Sequence, residues 1–189
     1  DMWFNSDSSV LKGYGTAAGI PSGTWASGGT LNSGRYALSA SQNGPQNATI
    51  FFAGTEPGNS AKTEEYNGSS FSEQADLNTA RTSLVGGAGT STSALGTGGE
   101  PGRQAITEIY NGSSWTEVGD LNSAASQIAT GGIQTSAFAV GGQNPSIPTI
   151  YVSHQTWDGS SWTETTETNT GRYAGVATGA SNTASIVYG

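Results

Sequence analysis

The segment Tyr110-Asn111-Gly112-Ser113-Ser114-Trp115 is the most informative part of the chain, because it recurs along the sequence. Close copies are Tyr66-Asn67-Gly68-Ser69-Ser70-Phe71 and Trp157-Asp158-Gly159-Ser160-Ser161-Trp162, and Ser22-Gly23-Thr24-Trp25 is a shorter copy. The second aromatic residue of these copies stands at positions 25, 71, 115 and 162, which gives steps of 46, 44 and 47 residues. A period of this length indicates a repeat protein in which each unit packs on its neighbours.

Two further marks keep the same register as the aromatic residue. A Leu-Asn pair follows it by six residues, as Leu31-Asn32, Leu77-Asn78 and Leu121-Asn122, with Thr168-Asn169 in the last unit. A pair containing glycine closes each unit, as Ala53-Gly54, Gly98-Gly99, Gly141-Gly142 and Tyr188-Gly189. The three marks predict one domain over residues 1–189, with repeats that start near residues 23, 69, 113 and 160.

Each repeat has the composition of short β-strands joined by tight turns. The Asn-Gly pair provides the positive φ angles of a hairpin turn. Runs such as Thr49-Ile50-Phe51-Phe52 and Ile106-Thr107-Glu108-Ile109-Tyr110 are rich in β-branched and aromatic residues, and no stretch has a sustained helical period. About four short strands in 44–47 residues are typical of a propeller blade. We therefore predict an all-β fold, a β-propeller of about four blades, each with four antiparallel strands.

The order of these marks resembles the kelch repeat of kelch β-propellers: a Gly-Gly pair, a strand ending in Tyr, a short turn, a Trp, and then Leu-Asn-x-x-Arg. The resemblance covers roughly residues 23–189. The chain departs from the family in its very short turn, in its Ser/Thr/Ala-rich inner strands, in Ala53 at the first glycine pair and in Thr168 in place of Leu.

The N-terminal segment offers one way to close such a ring. Met2-Trp3-Phe4-Asn5, Ser6-Asp7-Ser8-Ser9 and Val10-Leu11-Lys12-Gly13-Tyr14 are expected to form a strand, a polar turn and a second strand. Residues 1–22 are then predicted to be a hairpin that completes the last blade and removes its free edge. The alternatives are that the chain belongs to a longer array of repeats, or that several chains complete the structure together.

Composition and charge exclude several partners and chemistries. The 189 residues include 29 Gly, no Cys and one His, and their formal net charge is −8. An acidic protein is repelled by nucleic acid and by anionic membrane surfaces, and no apolar run is long enough to span a bilayer. Without cysteine there is no disulfide, thiolate zinc site or iron–sulfur cluster. We expect no nucleic-acid partner, no membrane insertion and no cofactor.

Catalytic constellations are not found in the sequence. His154, the single histidine, stands in a probable outer strand, and it has no second His or Cys with which to hold a transition metal. Copper-radical oxidases of the kelch class need a Tyr–Cys pair and two His ligands, which this chain lacks. Glu64 and Glu65 alternate along one strand, so they are not expected to converge as an acid–base pair, and we expect a solvated strand there. We predict no catalytic residue, no metal site and no enzyme.

Three arginines are the candidate ligand-binding residues. Arg35, Arg81 and Arg172 share one repeat position, and Ala125 occupies it in the remaining unit. The kelch resemblance implies that this position opens the innermost strand near one mouth of the central channel. Guanidinium groups there would bind an acidic peptide, a sugar acid or sulfate, and Tyr36 and Tyr173 would stack on a sugar. The competing interpretation is that each Arg binds loop carbonyls or a neighbouring carboxylate, and that the tyrosines pack between blades.

The periodic aromatic residues Trp25, Phe71, Trp115 and Trp162 could form a glycan platform, but their strict register favours packing between blades. Asn67 and Asn111 match the glycosylation sequon, and the hairpin turn alone explains both.

A second resemblance is to bacteriophage structural proteins. The opening Asp1-Met2-Trp3-Phe4-Asn5 and the Leu11-Lys12-Gly13-Tyr14 that follows it look like a short hairpin of phage tail-fibre and virion proteins, and the Gly/Ser/Thr-rich repeat is similar to repeats of such proteins. The resemblance implies a non-enzymatic protein on the virion surface: a head decoration, a head fibre or a tail-fibre domain that displays structure and attaches to the host. Expected partners are other virion proteins, a homo-oligomer or larger assembly, and a host-surface glycan. The alternatives are a secreted or surface carbohydrate-binding propeller and a polysaccharide-degrading enzyme.

Overall fold

A computed structural model describes residues 2–5, 10–13, 27–83, 86–144 and 149–188. In these ranges the chain forms strands, turns and loops without a helix. The strands are β1 (Met2–Asn5), β2 (Val10–Gly13), β3 (Ser39–Ala40), β4 (Thr49–Phe52), β5 (Thr63–Tyr66), β6 (Phe71–Gln74), β7 (Gly86–Thr90), β8 (Ser93–Thr97), β9 (Thr107–Tyr110), β10 (Trp115–Val118), β11 (Ala129–Ile133), β12 (Ser136–Val140), β13 (Gln143–Asn144), β14 (Thr149–Ile150), β15 (His154–Trp157), β16 (Trp162–Glu164), β17 (Val176–Ser181) and β18 (Ala184–Tyr188).

Consecutive strands pair into antiparallel sheets. The first sheet has the order β3-β4-β5-β6, the second sheet β7-β8-β9-β10 and the third sheet β11-β12-β15-β16. The fourth sheet contains β17 and β18, and β1-β2 and β13-β14 are separate two-stranded pairs. The predicted all-β fold of short antiparallel strands is confirmed. Each four-stranded sheet takes its fourth strand from the start of the next sequence repeat.

The first strands of the four sheets form the centre of the molecule. β7 packs against β3 on one side and β11 on the other, and β11 packs in turn against β17. A cavity of 230 Å³ lies between these strands, lined by residues from all four, including Ala40, Gly87, Ala129 and Ala177. The sheets therefore have a propeller-like arrangement in which the small inner residues allow close approach of neighbouring strands.

The Asn-Gly-Ser-Ser segments are the predicted hairpin turns. In the second sheet the Asn111 Oδ1 atom accepts the backbone N–H groups of Ser113 and Ser114, each at 2.9 Å. Gly112 has a φ of 93°, in the region that favours glycine. Asn67 and Asp158 make the same two contacts in the first and third sheets. The hydrogen bonds that the Asp158 carboxylate accepts from Ser161 and Ser160 lower its pKa to about 2.

The aromatic residues after these turns join neighbouring sheets. Trp115 is buried, packs at 4.9 Å between ring centroids against Phe52 of the first sheet, and donates its indole N–H to Thr63 at 3.0 Å. Trp162 repeats the arrangement, donating to Thr107 of the second sheet at 2.9 Å. The predicted packing role of both tryptophans is confirmed. Burial of a large side chain contributes roughly 1.5–3 kcal/mol, which matters in sheets built from small residues.

The glycine pairs also connect sheets. The second residue of each pair donates its backbone N–H to the carbonyl at the arginine repeat position: Gly54 to Arg81, Gly99 to Ala125 and Gly142 to Arg172, at 2.9–3.0 Å. The first residue of these three pairs is left-handed, with a φ of 60° at Ala53, 70° at Gly98 and 69° at Gly141. Ala53 thus keeps the backbone geometry of the pair although its side chain makes that conformation costly.

The predicted N-terminal hairpin is formed by β1 and β2, which pair from Met2↔Gly13 to Asn5↔Val10. Within the described strands this hairpin has no pairing with β17 or β18, so ladder hydrogen bonds do not close the ring. The remainder of residues 1–22, and Trp25, lie outside the described residues. No helix in the part of the chain that the structure covers is long and apolar enough to cross a membrane.

Candidate functional site at the channel mouth

The candidate residues precede the first strands of their sheets. Tyr36 and Tyr173 stand two residues before Leu38 and Gly175, which line the central cavity. The chain therefore positions both tyrosines where an inner strand begins.

Arg81 is fully buried between the first and second sheets. Its Nη2 atom donates to Glu108 Oε1 at 3.0 Å, and its Nη1 atom donates to the carbonyls of Gly98 at 3.0 Å and Ile106 at 2.8 Å. The Glu108 carboxylate also accepts the backbone N–H of Asn78 at 2.7 Å. These contacts agree with the competing interpretation of the sequence, in which the arginine binds loop carbonyls or a neighbouring carboxylate and not a ligand.

Arg35 has the same environment one repeat earlier. It pairs with Glu64, both side chains have no exposed surface, and its Nε atom donates to the Ala53 carbonyl at 3.0 Å. Burial alone would raise the pKa of Glu64, but hydrogen bonds from the Asn32 amide and from Arg35 outweigh it and lower the pKa. The expected solvated strand is therefore wrong for Glu64, which is a buried ion-pair partner. Ligand binding by Arg35 and Arg81 stays a prediction, and neither side chain faces solvent.

Glu64 and Glu108 are the ion-pair partners of Arg35 and Arg81, and sequence reasoning did not identify them. They share one repeat position, because the step between them is the 44 residues that also separate Phe71 from Trp115. In the third sheet the corresponding residue is Gln155, and the arginine position carries Ala125. Gln155 still accepts the backbone N–H of Asn122 at 2.8 Å. The third sheet therefore has neither charge of the ion pair. This is expected, because an unpaired buried charge is strongly destabilising.

Arg172 lies at the arginine position of the fourth sheet and is half-buried. Its Nε atom is buried and has no hydrogen-bond partner. The described residues also provide no salt bridge for its guanidinium group. Arg172 therefore differs from Arg35 and Arg81 in having no carboxylate partner among the described residues, although the Nε atom of Arg81 is also buried without a hydrogen-bond partner.

Tyr36 and Tyr173 are exposed, at 69% and 48% of their surface, so neither packs between sheets. The residue after each tyrosine is left-handed although it is not glycine: Ala37 has a φ of 52° and Ala174 has a φ of 49°. Ser83 and Gln127 share this conformation at the same repeat position. Such strained non-glycine residues often accompany functional sites.

Backbone hydrogen bonds connect these left-handed residues around the mouth. Gln127 donates its N–H to the Ser83 carbonyl, and Ala174 donates to the Gln127 carbonyl, each at 3.1 Å. Ser83, Gln127 and Ala174 thus form a hydrogen-bonded rim that Tyr173 adjoins, whereas Ala37, which follows Tyr36, has no such bond to them among the described residues. The sequence carried no signal for this rim, because neither Ser, Gln nor Ala favours a left-handed backbone.

The described side chains that line the cavity include few polar groups. Its polar side chains are Ser39, Gln42 and Thr130, and Thr130 already donates to the Gly87 carbonyl at 3.0 Å. Its volume of 230 Å³ is below the range of about 300–1,000 Å³ that is usual for small-molecule sites. The cavity lining holds no titratable group that could act as a general acid or base.

His154 and the acidic residues do not form a metal-binding cluster within the described residues. In the part of the chain that the structure covers, no three His, Asp or Glu side chains lie close enough to hold a metal ion. The His154 Nδ1 atom lies 3.0 Å from Thr165 Oγ1, and burial lowers the pKa of the imidazole. No family model matches the sequence, and no curated protein is detectably similar to it.

Proposed function

We propose that this chain is a non-enzymatic structural display module of a bacteriophage particle, either a head decoration, a head fibre or a tail-fibre domain. Support comes from the sequence resemblance of its opening segment and repeats to virion proteins. In this proposal it stands on the virion surface, docks to other virion proteins as a homo-oligomer or larger assembly, and contributes to attachment to the host.

The finer architecture is part of the proposal. A kelch-like propeller of four blades requires two more strands beside β18, and residues 1–22 are the segment that the sequence itself offers. The pairing of β1 with β2, in two strands of four residues, supports a hairpin of suitable size.

The observation that carries the attachment function is the exposure of Tyr36 and Tyr173, each of which is followed by a left-handed residue. Aromatic faces that are held by a rigid backbone bind sugars at low entropic cost. The buried ion pairs of Arg35 and Arg81 leave these tyrosines as the main side chains for a neutral or weakly acidic glycan, with Arg172 close in sequence to Tyr173.

A glycan and cell-binding experiment tests this function. The purified chain is applied to host-type cells and to a glycan panel, beside the double variant Tyr36→Ser/Tyr173→Ser. We expect saturable binding by the parent and at least a tenfold loss in the variant. The matched control is Ile133→Ser, which removes a comparably exposed apolar side chain from the end of β11.

Three results would contradict the proposal. Equal binding by the parent and the tyrosine variant would remove the mouth from the attachment function. Release of new reducing ends from a bound polysaccharide would support the alternative of a polysaccharide-degrading enzyme. Binding to sugars by a chain that does not associate with virion proteins would favour the secreted carbohydrate-binding propeller.

A further inference from the structure

Three exposed turns of equal length join the third and fourth strands of the first three sheets. Their first residues are Asn67, Asn111 and Asp158, and each is followed by a glycine and two serines. The same turn therefore begins with a neutral amide in two sheets and with a charged carboxylate in the third. This comparison bears on the chemical stability of the two asparagines.

The amide oxygen of Asn111 accepts three hydrogen bonds inside its turn. They come from the Ser113 backbone N–H, the Ser113 hydroxyl and the Ser114 backbone N–H, each at 2.9 Å. Asn67 accepts the three equivalent hydrogen bonds at 3.0 Å. Donors placed around a carbonyl oxygen make its carbon more electrophilic, and they bind the oxygen more strongly once it becomes an anion.

Asp158 shows that these donors stabilise a negatively charged oxygen. Its Oδ1 atom accepts the backbone N–H groups of Ser161 and Ser160 and the Ser160 hydroxyl, each at 2.8 Å. These hydrogen bonds lower the pKa of the Asp158 carboxyl to about 2. The equivalent donors in the other two turns are therefore suited to an oxyanion that forms on the asparagine side chain.

The other two groups that take part in the deamidation of an asparagine are not engaged in hydrogen bonds. The nucleophile is the backbone nitrogen of the next residue, here Gly68 or Gly112, and its N–H donates to no described residue. The leaving group is the side-chain nitrogen Nδ2 of Asn67 or Asn111, and it also has no acceptor among the described residues. Glycine has no side chain to shield its nitrogen.

We propose that Asn67 and Asn111 are sites of spontaneous deamidation, at which the folded turn itself accelerates the loss of ammonia. Hydroxide removes the proton of the glycine N–H, and the glycine nitrogen attacks the asparagine Cγ atom to form a tetrahedral oxyanion. The oxyanion collapses, the Cγ–Nδ2 bond breaks, and ammonia leaves with a proton from water. The three donors act on the oxygen that carries the negative charge in this step.

Water then opens the succinimide that has formed. When water adds at Cγ, the bond to the glycine nitrogen breaks, that nitrogen regains a proton, and the new carboxyl group passes its proton to ammonia. The product is an aspartate, which the fold accommodates, because Asp158 makes the same contacts in the third sheet. Conversion of both asparagines changes the formal net charge from −8 to −10, since each adds one negative charge.

Asn43 is a matched control within the chain. It is exposed and is followed by Gly44, so the nucleophile and the leaving group are the same as at the other two sites. Its backbone N–H donates to the Gly89 carbonyl, but no described residue donates a hydrogen bond to its side-chain oxygen. The difference in rate between Asn43 and the two turn asparagines therefore reports the effect of the turn.

Peptide mapping by mass spectrometry measures the three rates in one sample of the full chain, incubated in mildly alkaline buffer. We expect Asn67 and Asn111 to react about tenfold faster than Asn43 in the folded chain, because hydrogen bonds to a charged oxygen are stronger than those to a neutral one. In urea above the unfolding midpoint the turns are lost, and the three rates should become similar.

Two variants complete the test. Ser113→Ala removes one donor from the Asn111 oxygen, so the rate at Asn111 should fall about threefold, while the rate at Asn67 in the same molecules stays unchanged. Asn111→Asp carries the reaction product and should unfold at the same temperature as the parent. This variant also provides the reference for the charge shift of the aged protein in isoelectric focusing.

Three results would overturn the inference: Asn43 reacts as fast as the turn asparagines in the folded chain, the rate ratio persists in urea, or Ser113→Ala leaves the rate at Asn111 unchanged. A lower unfolding temperature of Asn111→Asp would show that the fold does not accommodate the product. These measurements do not involve Tyr36 or Tyr173, so they are independent of the attachment function.

Discussion

Arg81 and Glu108 form a fully buried ion pair at 3.0 Å that connects the loop before the second sheet to the third strand of that sheet. The same geometry recurs at Arg35 and Glu64, and the third sheet replaces both charges by Ala125 and Gln155. The chain thus contains both the charged and the neutral version of one contact.

This pair leads to a prediction about single and double substitutions. Glu108→Gln leaves the Arg81 guanidinium buried without its counter-ion, and we expect the free energy of unfolding to fall by about 3–5 kcal/mol. The double variant Arg81→Ala/Glu108→Gln reproduces the third sheet and should be more stable than Glu108→Gln alone. Urea denaturation of Glu108→Gln, Arg81→Ala and the double variant gives the coupling energy between the two side chains. Strict additivity of the two substitutions would contradict the paired role.

The contact between Trp162 and Thr107 leads to a second prediction. Trp162→Phe keeps most of the buried area but removes the indole N–H donor, so we expect a loss of about 1 kcal/mol. Trp162→Ala also leaves a cavity and should cost about 3–5 kcal/mol. Thermal unfolding of both variants measures the difference. Thr163→Ala, at an exposed position next to Trp162 in β16, is the control and should leave the unfolding midpoint nearly unchanged.

The glycine pairs lead to a third prediction. Gly98 has a φ of 70°, and a Cβ atom there would lie 2.5 Å from Ile128 Cδ1 and 2.8 Å from the Ala125 carbonyl oxygen. Gly98→Ala therefore combines a left-handed alanine, at about 1–2 kcal/mol, with a steric overlap that shifts Ile128. We expect a clear drop in the midpoint of thermal unfolding.

The matched control for this substitution is Gly102→Ala. Gly102 has nearly the same φ, 71°, and open space around its Cβ position. It should show the conformational cost without the overlap. Equal losses in the two variants would mean that the contact with Ile128 contributes nothing.

His154 leads to a prediction about pH. Burial lowers the pKa of His154 below its unfolded value of about 6.5, although hydrogen bonding of the imidazole to the Thr166 backbone partly opposes this. The unfolded chain therefore binds more protons than the folded chain once the pH falls through 6.5. Stability should be unaffected by this group above that pH and should decrease below it.

The measurement is the free energy of unfolding between pH 7.5 and 5, a window in which the single histidine is the main titrating side chain. His154→Thr introduces the residue found at this position in the first two sheets and should flatten the dependence. An unchanged slope in the variant would show that another group is responsible.

Much of the local architecture was predictable from sequence. The Asn-Gly-Ser-Ser turns and their flanking strands follow from chemistry that acts within a few residues and then repeats. The packing role of Trp115 and Trp162 was indicated by their strict register, although their partners are more than fifty residues away. The glutamates were misread because alternation along a strand says which residues share a face and not what covers that face. Glu64 reaches Arg35 and the Asn32 amide across about thirty residues of chain, and this contact exists only after two sheets pack together.

The sequence by itself determined the all-β character, the four-fold repetition and the tight turns, because turn geometry and strand propensity are local properties. Tertiary structure decided that Arg35 and Arg81 face inward and that Tyr36 and Tyr173 remain exposed. These outcomes depend on which surfaces meet. A buried charge needs a partner supplied by a neighbouring sheet, and a short repeat cannot encode the presence of that neighbour.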